Sequence, residues 1–360
     1  MQENQRARAL ITIAELSSHL TDQTLFIIGN GFDLMHGVPS RYHDFRDSIG
    51  RRNTIRTTME SYIHTPDIWG DFEHNLAYLD RAMMMGTLDD WLDDFGVLDE
   101  DDDDFSAADF FAAMETATEP VHILLYDLPK RFRQWIQTLQ VDHTVKPLLG
   151  LLRKDARYIN FNYTEFLETL YDIPHQRICF IHGDRRDKKQ QLVLGHGQNE
   201  EVVFDAWYQA NKDRPAYQPM LLGRKGKPYR NDNPVYLAYF LQDDTLGNWK
   251  SQMRYDAINH TIDLIEDYYA RSAKKTADVI QKHRSMFESL SSIQQIVVIG
   301  HSLSSVDWPY FSEIMNHTGQ VHWYFSWHRQ EDIKQIQSFT DAMGIPDDDV
   351  TLVALGWWGA

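Results

Sequence analysis

Short apolar runs rich in β-branched residues recur along this 360-residue chain, and longer stretches with helical periodicity separate them. Strands that alternate with helices are typical of a largely parallel sheet, because each parallel connection has to cross back over the sheet. The alternation therefore predicts an α/β fold. The predicted strands lie at residues 25–28, 157–160, 178–181, 191–194, 295–299, 321–325 and 351–354.

The segments between these strands predict a single α/β domain, 1–360, that carries a helical insertion at 50–150. Apolar residues recur at helix spacing inside this insertion, for example at Phe72, Leu76 and Leu79. We expect the helical pattern to be interrupted at 89–104, where a strongly acidic run is typical of an exposed loop.

A second insertion is predicted at 200–250, which is rich in Tyr, Pro, Gly and Asn and has no long periodic pattern. We expect irregular structure there. Residues 252–290 then predict a long helix or a pair of helices that returns the chain to the strand at 295–299.

Composition excludes several classes of protein. The formal net charge of −18 argues against broad attraction to nucleic acid, and short basic pairs such as Arg185-Arg186 are predicted to lie in solvated loops. The single cysteine, Cys179, excludes an intrachain disulfide and is predicted to be a core residue. Neither a signal peptide nor a membrane-spanning segment is evident, so we expect a cytoplasmic protein that does not bind membranes.

A glycine loop directly follows the first predicted strand and is the most informative stretch of the chain. It reads Gly29-Asn30-Gly31-Phe32-Asp33. Such a turn can bring the backbone and a helix N-terminus close to a phosphate, although any strand-to-helix turn can use glycines for positive φ angles. The usual dinucleotide pattern is incomplete, because Leu34 stands where its third glycine would be. Asp33 can either cap the helix or contact a ribose hydroxyl or a water, and we favour the cap.

Further motifs follow the loop in a fixed order. The motifs are Phe26–Leu34, His36-Gly37-Val38-Pro39, Trp69-Gly70-Asp71-Phe72-Glu73, Asn160-Phe161-Asn162-Tyr163-Thr164, Ile181-His182-Gly183-Asp184, and Ile299-Gly300-His301-Ser302-Leu303 with Asp307 and Tyr310. Their joint occurrence resembles the AbiH family of bacterial phage-abortive-infection proteins over nearly the whole chain, which implies a defence function.

The same order is more distantly similar to the sirtuin-type NAD-binding fold, whose pattern runs Gly-Ala-Gly, Gly-Ile-Pro, Gln-Asn-Ile-Asp, His-Gly and Gly-Thr-Ser. This resemblance implies a Rossmann-like, sirtuin-related, largely parallel sheet, and NAD as a substrate that is cleaved to nicotinamide and ADP-ribose without a further cofactor. The matching segments here are Gly29-Asn30-Gly31, Gly37-Val38-Pro39, Phe161-Asn162-Tyr163-Thr164, His182-Gly183 and Gly300-His301-Ser302.

The resemblance also implies roles for individual residues. Asn162 would hold the nicotinamide ribose or orient a water, and His182 would act as a general base. Both roles suit the chemistry of an amide and of an imidazole. The nucleotide would contact the two glycine loops and the residues around them: Gly29, Asn30, Gly31, Phe32, Asp33, Pro39, Gly300, His301, Ser302 and Asp307.

Departures from the sirtuin pattern leave alternatives open. Thr164 replaces an acidic residue and the zinc-binding cysteines are missing, so a protein deacylase is disfavoured. Asp307, which precedes Trp308-Pro309, is a natural helix cap unless the cleft lies nearby. Ser302 is not predicted to be a nucleophile, because the second glycine of the nucleophile-elbow motif is missing.

Two other classes of function remain. Asp and His residues at turns, among them Asp33, His182, Asp184, His196 and His301, could serve a metal-dependent phosphoesterase or nuclease. A non-catalytic sensor that binds a nucleotide or a phage-derived trigger would have much the same sequence. The hydrolase, the metal-dependent enzyme and the sensor are all compatible with a homo-oligomer.

Overall fold

The computed structural model describes residues 9–63, 65–80, 107–199 and 252–355, together with positions 83, 84, 87, 202, 203, 206 and 209. The acidic segment 89–104 lies outside these residues. So does the predicted irregular insertion 200–250, apart from its four described positions, which are helical.

The described residues form two compact units. The first consists of 9–48, 132–194 and 275–355, and it contains every described strand. The second is helical and consists of 49–63, 65–80, 107–131, 195–199, 252–274 and the isolated positions. The predicted insertion at 50–150 is thus divided between the units at residue 132, and the single domain 1–360 stays a prediction.

One seven-stranded sheet, parallel throughout, forms the centre of the first unit. Its strand order is β1-β7-β6-β5-β2-β3-β4. From β4 to β7 this is the doubly wound order of Rossmann folds, with β1 added beside β7. The predicted Rossmann-like α/β fold is therefore confirmed. The strands are β1 (Ala9–Thr12), β2 (Thr24–Ile28), β3 (Arg157–Asn160), β4 (Ile178–Phe180), β5 (Gln295–Ile299), β6 (His322–Trp327) and β7 (Val350–Ala354).

Helices connect the strands of the first unit and make up the described part of the second unit. In chain order they are α1 (Ile13–His19), α2 (Asn30–Met35), α3 (Tyr42–Ile49), α4 (Thr54–Tyr62), α5 (Phe72–Asn75), α6 (Ala107–His122), α7 (Leu128–Thr138), α8 (Phe166–Tyr171), α9 (Gln252–Ser272), α10 (Thr276–Lys282), α11 (Arg284–Glu288), α12 (Trp308–His317) and α13 (Gln330–Met343). Residues Ile123–Asp127 form a π-helical turn between α6 and α7.

The central strands are buried on both faces, which explains why they read as continuous apolar runs. Every residue of β2 is buried, and Leu25 and Ile27 share a core cluster with Ile296 and Val298 of β5. Phe311 of α12 belongs to the same cluster. Burial at about 25 cal/mol per Å² of apolar surface stabilises the packing of the helices on this sheet.

One predicted strand is wrong, and one strand was missed. Residues 191–194 belong to no strand; the backbone hydrogen bond from Val193 N to the carbonyl of His182 joins this segment to the loop that follows β4. Strand β1 was not predicted, because four residues next to a charged N-terminus carry little periodic signal. The predicted helix at 252–290 is interrupted after α9 and continues as α10 and α11.

In the second unit, the conspicuous Trp69–Glu73 motif contributes a buried ion pair. Glu73 Oε2 lies 3.1 Å from Nζ of Lys274, whose side chain is fully buried. His196 is also buried there, and its Nε2 lies 3.0 Å from the carbonyl of Tyr269. Both contacts lie within the second unit.

Candidate functional site

The two glycine loops lie side by side where β2 and β5 end, at the point where the strand order reverses. Gly31 N donates to the carbonyl of Gly300 at 2.7 Å. A Cβ on Gly29 would lie 2.4 Å from Cα of His301, and a Cβ on Gly31 would lie 2.6 Å from Cα of Gly300. Glycine is therefore required here so that the two loops can approach each other. Ligands of open α/β sheets bind at this kind of switch point.

The remaining residues of the first loop hold it in place. Asn30 Nδ2 donates to the carbonyl of Ser40, and Ser40 Oγ donates back to Asn30 Oδ1 at 2.6 Å, which fixes the turn that contains exposed Pro39. Phe32 is buried in the core with its ring against His36. Asn30 and Phe32 thus have structural contacts, and their predicted contact with a nucleotide stays a prediction.

Asp33 is almost completely buried and accepts two side-chain hydrogen bonds. Asn162 Nδ2 donates to its Oδ1 at 3.0 Å, and Thr164 Oγ1 donates to its Oδ2 at 2.7 Å. The prediction that Asp33 caps α2 is wrong, because Gly29 occupies the cap position and Asp33 is the fourth residue of the helix. Burial raises the pKa of Asp33 to about 7, while the bonds from Thr164 and Asn162 oppose this rise.

The buried carboxyl predicts a pH dependence of stability. Below its ordinary pKa of 3.8, Asp33 is protonated in both folded and unfolded chains. Between that pH and about 7, the unfolded chain loses the proton while the folded chain keeps it, so the free energy of unfolding falls as pH rises, by at most about 4 kcal/mol. Above about pH 7 this contribution is constant.

Asp33→Asn is the matched variant, since an amide keeps the shape and cannot ionise. Urea unfolding at intervals between pH 4 and pH 8 is expected to give a steeper decline for the wild type than for Asp33→Asn. Parallel curves for the two proteins would contradict a carboxyl that is protonated in the folded state.

Asn162 is held rigidly after β3. Its Nδ2 donates both to Asp33 and to the carbonyl of Gly29, and its backbone N–H donates to Oδ1 of Asn160 at 3.1 Å. With both amide hydrogens engaged, its Oδ1 remains as an acceptor with no hydrogen bond from the described residues. The sequence singled out Asn162 but not Asn160 or the contact of Thr164 with Asp33.

A second carboxylate, Asp307, lies between two imidazoles. Its Oδ1 is 3.3 Å from Nε2 of His182 and its Oδ2 is 3.5 Å from Nε2 of His301; all three side chains are buried. Leu303 N donates to Nδ1 of His301 at 2.9 Å. That nitrogen therefore carries no hydrogen, and the proton of His301 lies on the nitrogen that faces Asp307.

Asp307 stands at the cap position of α12, as the sequence predicts, but its side chain makes no capping hydrogen bond. The carboxylate of Asp307 lies against the two histidines instead of capping the helix. The ring of Phe161 makes edge contacts with both histidines, with its centroid 5.0 Å from that of His182 and 4.4 Å from that of His301. Ser302, by contrast, is exposed on the loop.

Of the two arginines after His182, Arg186 is exposed as predicted, whereas the prediction of a solvated position is wrong for Arg185. Arg185 is buried and binds both carboxylate oxygens of Glu165 at 2.7 Å. Arg186 binds Asp184 and Glu168. The turn after His182 is therefore fixed by charge-assisted hydrogen bonds, which spacing in the sequence could not reveal.

The residues of the metal hypothesis have separate partners. Asp33 binds Asn162 and Thr164, whereas His182 and His301 flank Asp307. His196 belongs to the second unit. One group with metal-ligand spacing among the described residues, Glu168, His175 and Asp184, holds the guanidinium of Arg186 between its carboxylates.

The sheet order and the polar groups at its switch point define a Rossmann-like α/β protein with a candidate small-molecule site. The profile of the family described as "bacteriophage abortive infection AbiH" matches residues 25–327. The chain belongs to the AbiH family, and this membership supports an anti-phage abortive-infection role.

The other comparisons return no relatives: no curated protein and no solved structure matches the chain. Among the residues that the structure describes, no helix is long and apolar enough to cross a membrane.

Proposed function

We propose that this chain is an abortive-infection effector that hydrolyses NAD to nicotinamide and ADP-ribose at the carboxyl edge of the sheet. One observation carries the proposal. Asn162 and His182, to which the sirtuin resemblance assigns the chemistry, follow adjacent strands, and each lies against its own buried carboxyl group, Asp33 or Asp307. Buried side chains held in this way are pre-organised for catalysis, because little reorganisation is needed during the reaction.

The reaction exchanges one bond for another. Water attacks C1′ of the nicotinamide ribose, the bond from C1′ to the ring nitrogen breaks, and nicotinamide leaves as a neutral molecule with the bonding pair. The proton lost by water passes to His182. Oδ1 of Asp307 lies 3.3 Å from Nε2 of that imidazole, so the proposal assigns the hydrogen to Nε2 and the lone pair that takes the proton to Nδ1.

Asn162 has the complementary role. Because its Nδ2 is committed to Asp33 and Gly29, its Oδ1 has a fixed direction and can accept a hydrogen bond from a ribose hydroxyl or from the attacking water. The sirtuin pattern has an acidic residue where this chain has Thr164. In the proposed site Asp33 takes the place of that acid, and it accepts a hydrogen bond from Oγ1 of Thr164.

Asp307→Asn is expected to lower kcat by about tenfold or more with little change in KM, because the imidazole loses its carboxylate while the surfaces that bind substrate remain. The matched control is Asp332→Asn, which alters a histidine–carboxylate pair outside the site, where His328 Nδ1 lies 2.7 Å from Asp332. Initial rates over a range of NAD concentrations separate kcat from KM. Equal effects of the two substitutions would contradict the role of Asp307.

The function is tested by incubating purified protein with NAD, with and without EDTA, and separating the nucleotides by chromatography. NAD levels are followed in parallel in cells that overexpress the protein, before and after phage infection. Release of nicotinamide that resists EDTA supports the proposal. Intact NAD in every setting refutes it in favour of a nucleotide-binding sensor, and EDTA-sensitive cleavage of phosphodiester bonds refutes it in favour of a nuclease.

A further inference from the structure

A cavity of about 610 Å³ lies within the first unit along β4; Asp184 and His175 line it, but neither the two glycine loops nor Asn162, His182 or Asp307 does. Its walls come from β3, the short turn His175–Arg177, β4, and the segment of α10 and α11. The size falls in the range of small-molecule sites, roughly 300–1,000 Å³.

Three cationic side chains from three different elements line this cavity. They are Arg157 of β3, Arg177 of the turn and Lys282 at the end of α10. Arg157 donates to the carbonyl of Ser289 at 2.7 Å. Arg177 and Lys282 form no ion pair or side-chain hydrogen bond with the part of the chain that the structure describes.

The carboxylates of the cavity offset only part of this charge. Asp184 and Asp187 also line it, but Asp184 is already bound by Arg186 at 2.6 Å. In a chain with a net charge of −18, such a local excess of positive charge is uncommon. It attracts anions into a cleft, since low-dielectric walls concentrate the field.

Apolar side chains complete the walls, among them Tyr158, Ile178 and Met286. A ligand that satisfies both surfaces carries a phosphate and a flat, weakly polar ring. We propose that this cavity binds a nucleoside phosphate at a second site, separate from the one that contains Asn162 and His182. The binding does not depend on NAD hydrolysis.

Cys179 gives a direct reporter, because it is the only cysteine of the chain and it lines the cavity. Burial raises the pKa of its thiol to about 12, and its Sγ lies 3.3 Å from Nδ1 of His283. The thiol therefore reacts slowly, and an occupant of the cavity slows it further. The rate of alkylation by N-ethylmaleimide is followed by mass spectrometry with and without ADP.

The measured quantity is the ratio of the alkylation rates with and without ADP, because the charge of Lys282 also lowers the pKa of the Cys179 thiol. ADP is expected to protect Cys179 in the wild type and in Lys334→Glu, which reverses an exposed charge on α13. In Lys282→Glu the protection is expected to require about tenfold more ADP, as the loss of one charge-assisted contact predicts. Inorganic phosphate alone, which lacks the ring, is expected to protect less.

Calorimetric titration of ADP into the same three proteins provides a second readout. Equal binding by Lys282→Glu and Lys334→Glu, or no saturable binding of ADP by the wild type, would overturn the proposal. Equal protection by phosphate and by ADP would overturn the assignment to a nucleoside phosphate. None of these readouts uses NAD turnover, so failure of the proposed enzymatic function leaves the test intact.

Discussion

Replacing His182 with alanine is expected to slow nicotinamide release by about 10²- to 10⁴-fold, the usual contribution of a general base. The imidazole has no substitute in the described structure, because the other histidine at Asp307, His301, directs its proton toward that carboxylate and accepts a backbone N–H on its second nitrogen. The measurement is the initial rate of nicotinamide formation by chromatography, with circular dichroism to show that the fold is kept.

His322→Ala is the matched control for this variant. His322 begins β6, at the opposite edge of the sheet, and its Nε2 lies 2.8 Å from Oγ1 of Thr351. We expect its activity to remain within about twofold of the wild type, since it can affect the rate only through stability. Comparable activity in His182→Ala and His322→Ala would remove His182 from the mechanism. Asn162→Ala, assayed in the same series, is expected to lose activity as well.

Gly300→Ala is expected to cost about 2–5 kcal/mol of folding free energy. Gly300 has φ +62°, a left-handed conformation that costs an alanine roughly 1–2 kcal/mol. Its Cβ would also lie 2.6 Å from Cα and C of Gly31, both of them backbone atoms that cannot move aside, and such overpacking adds about 1–3 kcal/mol.

Gly344→Ala separates these two causes. Gly344 ends α13 with φ +68°, but a Cβ there would have no heavy atom within 4 Å. It therefore carries the conformational cost of about 1–2 kcal/mol without the clash. Urea unfolding of both variants measures the difference. If Gly300→Ala were no less stable than Gly344→Ala, the close packing of the two glycine loops would be refuted.

Most of the sheet could be predicted from the sequence, because its central strands are buried on both faces and have few polar residues. The run at 295–299 is an example: apolar residues fill it, and it forms β5 with the predicted bounds. The segment 191–194 has a similar composition but lies beside the loop after β4 and has no strand partner. An apolar composition indicates that a segment is buried, but it does not show whether the segment pairs with a strand.

The candidate site could be predicted only in part. The order of motifs placed Asn162 and His182 after adjacent strands, and the sheet order agrees with that placement. The pairing of Asp307 with His182 could not be predicted, since it depends on the path of a loop in which Leu303 has φ +55°. Asp307 precedes a tryptophan and a proline, and this local pattern favoured a helix cap.

The position of β2 in the sheet determines when the site can exist during synthesis. Its neighbours β3 and β5 are encoded far downstream, and Asp307 follows β5. A nascent chain that has not yet reached residue 300 lacks both the second glycine loop and Asp307, the carboxylate beside His182. Nascent chains shorter than 307 residues therefore cannot assemble the site, and the proposed activity requires that residue 307 has been synthesised and packed beside His182.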